Sequence, residues 1–568
     1  MEKLLAFLLS VVILVSMVAC TSSVTQINDA TAGSSETIEP SIMNPTKPTE
    51  QGTTEPTIPS IDDPNVITIG IPQHASVIDY ETNAYTLWLE QQTGYDITFI
   101  PFAYPVNDYL TQFQTCLINP IEKLPDILLG FDGMEKKHWQ VYGQEGYFAD
   151  LTELFLDKDG KAKVWWDRFA DLDPQTVDTI IRQVTAVNKR IYSFPTVQYS
   201  DGYSPVFMPL INTQWLENLN LPMPHDIESF YNTLIAFRDN DPNNNNIRDD
   251  YPIIGTKETV TWLINMFVYY ESETLFALSE DGEQILTPFA TDSYRNALIF
   301  IKQLIDNGLL NYDYYKNTDE DIINMLNSSN GTLNVGVLVG NPKQLFRQGN
   351  ETLFEYEAMP IWGYAQTDPL SVKCGAFITC DANNVEACWE LLMLMASEEG
   401  SLRQFYGELG TDWSWSDGNT LSIFGNPTKV NIINDLTGQT QNSNWSDMYA
   451  TVMIGFSEEN AQISNVNEWQ AYQNKLIADI YIACKNSRLS TPKRILPMII
   501  YDQEEYYLTE DEWKNTRSII DMFTRAFVTG SDQLDISDDA HWKQYLDILE
   551  INGVSNIINQ LQRLYIDN

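Results

Sequence analysis

Val66-Ile-Thr-Ile-Gly-Ile71, followed by Asn83–Gln92, Asp96–Phe102, Asn107–Leu117 and Pro125-Asp-Ile-Leu-Leu-Gly130, decides the fold. The first run is short, apolar and β-branched, and Pro72 closes it, which predicts a strand buried on both faces. Asn83–Gln92 predicts a helix with Gly94 as its stop. Asp96–Phe102 and Asn107–Leu117 repeat the strand and the helix, and Pro125–Gly130 adds a third strand. Alternation at this spacing predicts an α/β fold, with a parallel sheet covered by helices on both faces. Ligands of such sheets sit beyond the carboxyl ends of the strands.

The pattern continues downstream. Ile191–Val197 and Pro205–Ile211 are predicted strands, each with a proline that marks an edge or a crossing. Asp226 is the predicted N-cap of a helix to Arg238, with Glu228 in its first turn. Leu333–Val339 and Gly375–Thr379 are further strands, and Val385–Ala396 is a helix. The last stretch reads as helical over Glu468–Cys484, Glu510–Phe527, Tyr545–Leu549 and Ser555–Tyr565. No internal repeat is present.

Composition narrows the function. A chain of 568 residues points to two or more domains. Its 43% hydrophobic and 20% charged residues suit a soluble globular protein. With 78 acidic against 33 basic residues the net charge is −45. Nucleic-acid affinity rests on cations that neutralise phosphates, so that class is excluded. The four histidines, His74, His138, His225 and His541, are scattered, which argues against a His-rich zinc site. No Gly-x-Ser-x-Gly, Walker or Gly-x-Gly-x-x-Gly motif occurs. Paired carboxylates would serve a glycosidase, but with this many acids chance pairs are everywhere, and none falls in a recognisable catalytic block. No enzymatic activity is expected.

Leu4–Val18 is an apolar run behind Lys3, too short to span a bilayer comfortably, and it fits a signal peptide. It ends in Met17-Val-Ala-Cys20, which resembles the lipobox of bacterial lipoproteins. That resemblance implies a signal peptide over residues 1–20 and a lipidated Cys20 as the mature N-terminus; the alternative is an ordinary secretory signal. Residues 21–64 are rich in Ser, Thr and Pro and poor in large apolar residues, so they read as a disordered tether. A flexible chain of that length spans roughly 35–40 Å r.m.s.. Five cysteines remain, an odd number. Cys374 and Cys380 flank a predicted strand and would lie about 20 Å apart, too far to pair. Mostly buried free thiols are expected.

Several blocks, in order, resemble the extracellular solute-binding proteins of ABC importers, family 1, the oligosaccharide-binding branch. They are Leu124-Pro-Asp-Ile-Leu-Leu129 with Tyr142-Gly-Gln-Glu-Gly-Tyr-Phe-Ala-Asp-Leu151; Asn188-Lys-Arg-Ile-Tyr-Ser-Phe-Pro195 leading to Ile211–Leu219; Phe237–Ile253; and Ala396–Ser401 with Tyr406–Asp412. The resemblance covers about residues 65–420. It implies a periplasmic-binding-protein-like type II fold, two lobes around a hinge with the ligand cleft between them. Lobe 1 is expected over 65–200, rejoined by 365–415, and lobe 2 over 201–364, rejoined by 416–568. The crossings are expected near Ile191–Pro209 and Met359–Cys374. It also implies an anchored monomer at the outer face of the cell membrane, an oligosaccharide ligand and ABC importer permease subunits as partners.

Asp241-Pro-Asn-Asn-Asn-Asn-Ile-Arg-Asp-Asp250 places oxygen side chains at EF-hand-like spacing. Asp241, Asn243, Asn245 and the Ile247 carbonyl would be the first calcium ligands. Asp249 and Asp250 complete the set, as at the matching positions of the alginate-binding relatives. Asn at 244 and 246 tolerates the left-handed backbone such a loop needs. The role expected for the ion is structural, and the alternative is a polar loop without an ion.

Sugars stack on aromatic rings and bond to nearby polar groups. The candidates follow strand ends: Phe131 and Asp132 after Pro125–Leu129, Tyr199 and Asp201 after the hinge-region strand, and Trp262 after Pro252–Gly255. Trp362 and Tyr364 lie near the return crossing, and Trp413 and Trp415 follow Glu408–Gly410. Each ring taken singly has core packing as its alternative. The sugar itself is not legible. A peptide ligand, and a tethered receptor that serves no transporter, stay open.

Overall fold

The computed structural model describes residues 63–567 except 103–105, 119–122, 135, 200–205, 272–274, 328–333, 366–369, 437–438, 455–460, 464–466 and 487–502. The signal segment, Cys20, nearly all of the tether and Asp201 lie outside the described residues.

Local sequence sets the elements. The helix Ala84–Thr93 is capped by the Asn83 side chain, which accepts from the Tyr85 amide, and it stops at Gly94 in the left-handed region (φ 77°). Asp226 caps Ile227–Asp239 in a reciprocal box with Ser229. Asn384 caps Val385–Ala396. Strands β1 (Val66–Pro72), β2 (Asp96–Phe102) and β3 (Ile127–Leu128) are parallel. Buried Asp126 accepts hydrogen bonds from the Thr68 amide and hydroxyl at 2.8 and 2.6 Å and from the Asn383 amide at 2.7 Å. It thereby stitches β3 to β1 and to the start of the Val385–Ala396 helix.

The remaining strands are β4 (Phe194–Tyr199), β5 (Pro209–Asn212), β6 (Tyr251–Ile253), the small pair β7 (Ala277–Leu278) and β8 (Ile285–Leu286), β9 (Val335–Val339), β10 (Tyr356–Ala358), β11 (Leu370–Ile378), β12 (Trp413–Trp415), β13 (Val430–Ile432), β14 (Val452–Ile454) and β15 (Ala461–Ile463). The first sheet runs β2-β1-β3-β11-β4-β14 and the second β6-β9-β5-β10. The first is mixed rather than purely parallel, because β11 enters antiparallel between β3 and β4. A third, small sheet runs β12-β13-β15.

Side-chain alternation splits the first sheet between two cores. Ile69, Ile127 and Ile378 face one, with Trp165, Trp389 and Trp445; Leu128 and Phe377 face the other, with Phe113 and Phe131. The second sheet packs through Ile211, Ile253 and Val337 onto helix Asp292–Asp306 and onto the C-terminal helices Gln503–Thr529, Asp539–Ile551 and Val554–Asp567. Among the described residues no helix is long and apolar enough to cross a membrane. Among the described residues no disulfide is formed; Cys388 and Cys484 are buried, whereas Cys380 is exposed.

One expectation needs correction. The sequence reading sent the chain back to the second lobe from residue 416. Instead β14 pairs in parallel with β4, and Trp445 and Tyr449 pack in the first core. Their apolar faces complete that core, a long-range contact with no local sequence signal. Trp445 is fully buried, and its Nε1 donates to the Thr86 hydroxyl at 2.9 Å. Trp445→Ala should therefore cost about 3–5 kcal/mol. Urea unfolding checks this, and a loss below about 1 kcal/mol would contradict the assignment.

Candidate functional site

The topology fixes where a ligand can sit. Tyr199, the last residue of β4, lies opposite Leu370, the first of β11. Ala358, the last of β10, lies opposite Leu210 at the start of β5. The chain therefore passes from the first sheet to the second and back through adjacent strands. In the first sheet β1, β3 and β4 run the same way; in the second, β6, β9 and β10 run opposite to β5. The carboxyl ends of both strand sets thus point at the two crossings, from opposite sides.

On the first side the loop after β3 lies against β11. The Phe131 amide donates to the Gly375 carbonyl at 3.0 Å, and the Asp132 carboxylate rests directly on Gly375, leaving no room for a Cβ there. Gly130 has φ 78°, and a Cβ on it would fall 2.6 Å from the Tyr449 ring. Lys136 anchors the following turn, its Nζ donating to the Arg182 and Gln183 carbonyls at 3.1 and 3.2 Å, and burial pulls its ammonium down to about 8. The Lys373 Nζ stands 3.7 Å from the Asp132 carboxylate. Burial nevertheless pushes Asp132 up to about 6; Lys373 opposes that shift and Asp447 adds to it.

On the second side, the segment Met359–Ala365 lies across the end of helix Lys257–Asn265. Gly363 (φ 82°) has the Asn265 carbonyl 2.5 Å from where a Cβ would be, and the Tyr364 amide donates to that carbonyl at 2.9 Å. Trp362 and Tyr364 flank this glycine. The Trp362 ring packs 5.6 Å from Phe230, and its buried Nε1 has no hydrogen-bond partner among the described residues. Tyr364 lies 6.3 Å from Tyr269.

Asp132, Tyr199, Trp362 and Tyr364 thus stand at the crossing ends of their sheets. Four of the sequence candidates are not presented there. Phe131 is fully buried among Phe102 and Phe113, and Trp413 is fully buried with its Nε1 donating to the Gly407 carbonyl at 2.9 Å. Trp262 is 7% exposed and packs edge-on against Phe230. A ring that follows a strand end can turn inward or outward, and these three turn into the cores. Trp415 is 44% exposed but sits on β12 of the separate small sheet. Sequence reasoning missed Lys373, Asp447 and Tyr449. Gly375, an isolated glycine within a strand, was the available signal of a close approach.

The Asp241–Asp250 loop is a tight turn, with Asn244 and Asn246 left-handed at φ 57° and 61°. The Asp241 carboxylate accepts from the Asn245 and Asn246 amides at 3.0 and 2.7 Å. Asn243 and Asn245 donate to Asp250 and Asp249 at 2.7 and 3.0 Å. Burial, then the neighbouring Asp249 and Asp241, push Asp250 up to about 6. Among the described residues no cluster of three or more His, Cys, Asp or Glu side chains forms a ligand set.

No family model matches the chain. It is 32% identical over 110 residues to the lipoprotein LipO of Bacillus subtilis, a match covering 18% of this chain and 21% of that protein. It is 30% identical over 142 residues to the fructooligosaccharide ABC transporter substrate-binding protein FusA of Streptococcus pneumoniae, covering 23% and 26%. The chain thus spans about a fifth to a quarter of the length of these curated relatives. An extracellular solute-binding protein from Bifidobacterium longum subsp. infantis superposes with a TM-score of 0.68 at 20% identity, covering 88% of this chain and 97% of that one. The chain has the fold of the extracellular solute-binding proteins. FusA in complex with kestose shares this solute-binding fold, with a TM-score of 0.65 at 16% identity over 88% and 99% of the two chains, and FusA has also been solved as an EF-hand mutant.

Proposed function

We propose that the chain captures an extracellular oligosaccharide between its two sheets and passes it, chemically unchanged, to the permease subunits of an ABC importer. The observation that carries this reading is the pair of adjacent crossings with the carboxyl ends of both strand sets turned towards them. That arrangement lets a ligand bond to both sheets at once. Trp362 and Tyr364 offer aromatic faces, and Asp132 offers an acceptor on the opposite side. The two crossings, residues 199–209 and 358–370, serve as the hinge between the lobes.

Trp362→Ala should weaken binding by roughly 1–3 kcal/mol, the worth of burying a large apolar side chain. Trp262→Ala should instead cost about 3–5 kcal/mol of folding stability. Calorimetric titration with the oligosaccharide that most raises the melting temperature, run beside melting curves of both variants, separates the two roles. Unchanged affinity in Trp362→Ala, or turnover of the sugar, would contradict the proposal.

The Asp241–Asp250 loop holds a structural calcium ion in this reading. Its support is the pair of left-handed asparagines, the Asp241 carboxylate already fixed by two amides, and the approach of Asp249 and Asp250 to Asn245 and Asn243. Metal analysis of protein prepared without chelator should find stoichiometric calcium. Chelator should lower the melting temperature of the native chain and leave the Asp241→Ala, Asp249→Ala double variant unmoved. Calcium-free native protein with an unchanged melting temperature would sink this part.

Cys20 carries the lipid that holds the body at the outer face of the membrane, with the Ser/Thr/Pro-rich segment as its tether. Cells expressing the chain and fed labelled palmitate should label the native protein and not Cys20→Ala. Equal labelling of both would refute the anchor.

A further inference from the structure

The hairpin that joins β12 to β13 carries Phe424 at its tip. Its limbs are laddered: the Ser416 amide donates to the Lys429 carbonyl at 2.8 Å, the Thr428 amide to the Thr420 carbonyl at 2.9 Å and the Ser422 amide to the Asn426 carbonyl at 2.8 Å. Gly425, left-handed at φ 80°, closes the turn, its amide donating to the Ser422 carbonyl at 2.9 Å. The base of the hairpin belongs with the first sheet. Trp413, Val430 and Ile432 pack on Leu402, Tyr406 and Met453 of β14, and the Lys429 Nζ stands 3.2 Å from Glu398, which also meets Arg168 at 3.3 Å.

The tip is engaged elsewhere. The Phe424 ring stacks on Tyr481, with centroids 4.2 Å apart and planes 26° from parallel. Tyr481 stands on helix Glu468–Asn486, which belongs with the second sheet: Leu476 and Ile480 are buried with Leu210, Leu338 and Tyr356. The Tyr472 hydroxyl of that helix donates to the Tyr356 carbonyl of β10 at 2.9 Å, and the Gln473 amide to the Pro342 carbonyl at 2.9 Å. One ring pair thus joins the two sides of the molecule away from the strand crossings.

Sheet order gives that pair its leverage. In the first sheet β1 and β3 lie to one side of the crossing strands β11 and β4, and β14 lies to the other. In the second, β6 and β9 lie to one side of β5 and β10, and the helix packs against β10, the edge strand. Rotation about the crossings that brings the loops after β1 and β3 up to those after β6 and β9 moves the opposite edges apart. Parting the stack there exposes both rings and forfeits their contact.

We infer that the Phe424–Tyr481 stack is a latch between the lobes that favours the open form and so lowers ligand affinity from outside the cleft. This rests on the oligosaccharide reading above and adds a control on its affinity. A ligand that binds only the closed form has its apparent affinity reduced by the fraction of chain that is closed. Loosening the latch raises that fraction and tightens binding with no new contact to the ligand.

The test is calorimetric titration of the full chain with fructo-, malto- and galacto-oligosaccharides and alginate oligomers, continued with the tightest binder on Phe424→Tyr, Phe424→Leu and Phe424→Ala. Melting curves establish that each variant is folded. Phe424→Tyr keeps a stacking ring and should bind as the native chain does. Phe424→Ala should bind about 3- to 10-fold tighter, the worth of an aromatic pair expressed as a ratio, with Phe424→Leu between the two. The gain should appear as slower release of the sugar. Unchanged or weaker affinity in folded Phe424→Ala would overturn the inference while leaving the oligosaccharide reading intact, and so would an equal gain in Phe424→Tyr. Should Phe424→Ala fail to fold, Phe424→Leu decides by the same criterion. If no sugar binds the native chain, the oligosaccharide reading itself fails, and the inference falls with it.

Discussion

The antiparallel pairing of β4 with β11 is the constraint on which the rest depends. These strands hold the chain together where it leaves the first sheet and where it returns, and β5 with β10 do the same in the second. Ladder hydrogen bonds fix the register within each sheet, so relative motion of the two sheets falls on the short connections between them. Within each sheet these pairings orient the neighbouring strands, and so turn the loops after β1 and β3, and those after β6 and β9, towards the crossings. A ligand that touches both sets of loops gains contacts only when they approach. It can shift the balance between open and closed forms only by its different affinity for the two.

The aromatic residues are divided by this geometry. Trp165, Trp389, Trp413 and Trp445 are all fully buried in the cores around the first and the small sheets. Trp362 and Tyr364 escape that fate because Gly363 lets the return segment lie flat on the end of helix Lys257–Asn265, holding its neighbours at the crossing. The acids divide the same way. Asp126 is a buried staple between strands, whereas Asp132, only six residues on, is half-shielded at the strand end and faces Lys373 and Asp447.

Much of the fold was legible because caps and periodicity are local. Asn83 and Gly94 bracket a helix as read, and Asp226 caps another as read. The asparagine-rich turn was legible too, since asparagine is the residue besides glycine that visits left-handed backbone most readily. What escaped is non-local. Nothing near Val452 says that it pairs with Val197, and nothing near Lys373 says that the loop after β3 folds onto its strand. Strand-end aromatics such as Phe131 and Trp262 were ambiguous for a related reason: the direction of the ring is set by packing partners far away in the chain. β11 was read as beginning near Gly375, yet its pairing with β4 extends back to Leu370, across residues whose side chains are only half-buried.

The central claim is that one oligosaccharide engages both sheets and draws them together. Small-angle X-ray scattering of the tether-free body, with and without the sugar that binds most tightly, tests it most directly. The account predicts a smaller radius of gyration at unchanged mass when the sugar is saturating, and a diminished change in Trp362→Ala at the same sugar concentration. An unchanged radius with the sugar demonstrably bound would contradict it.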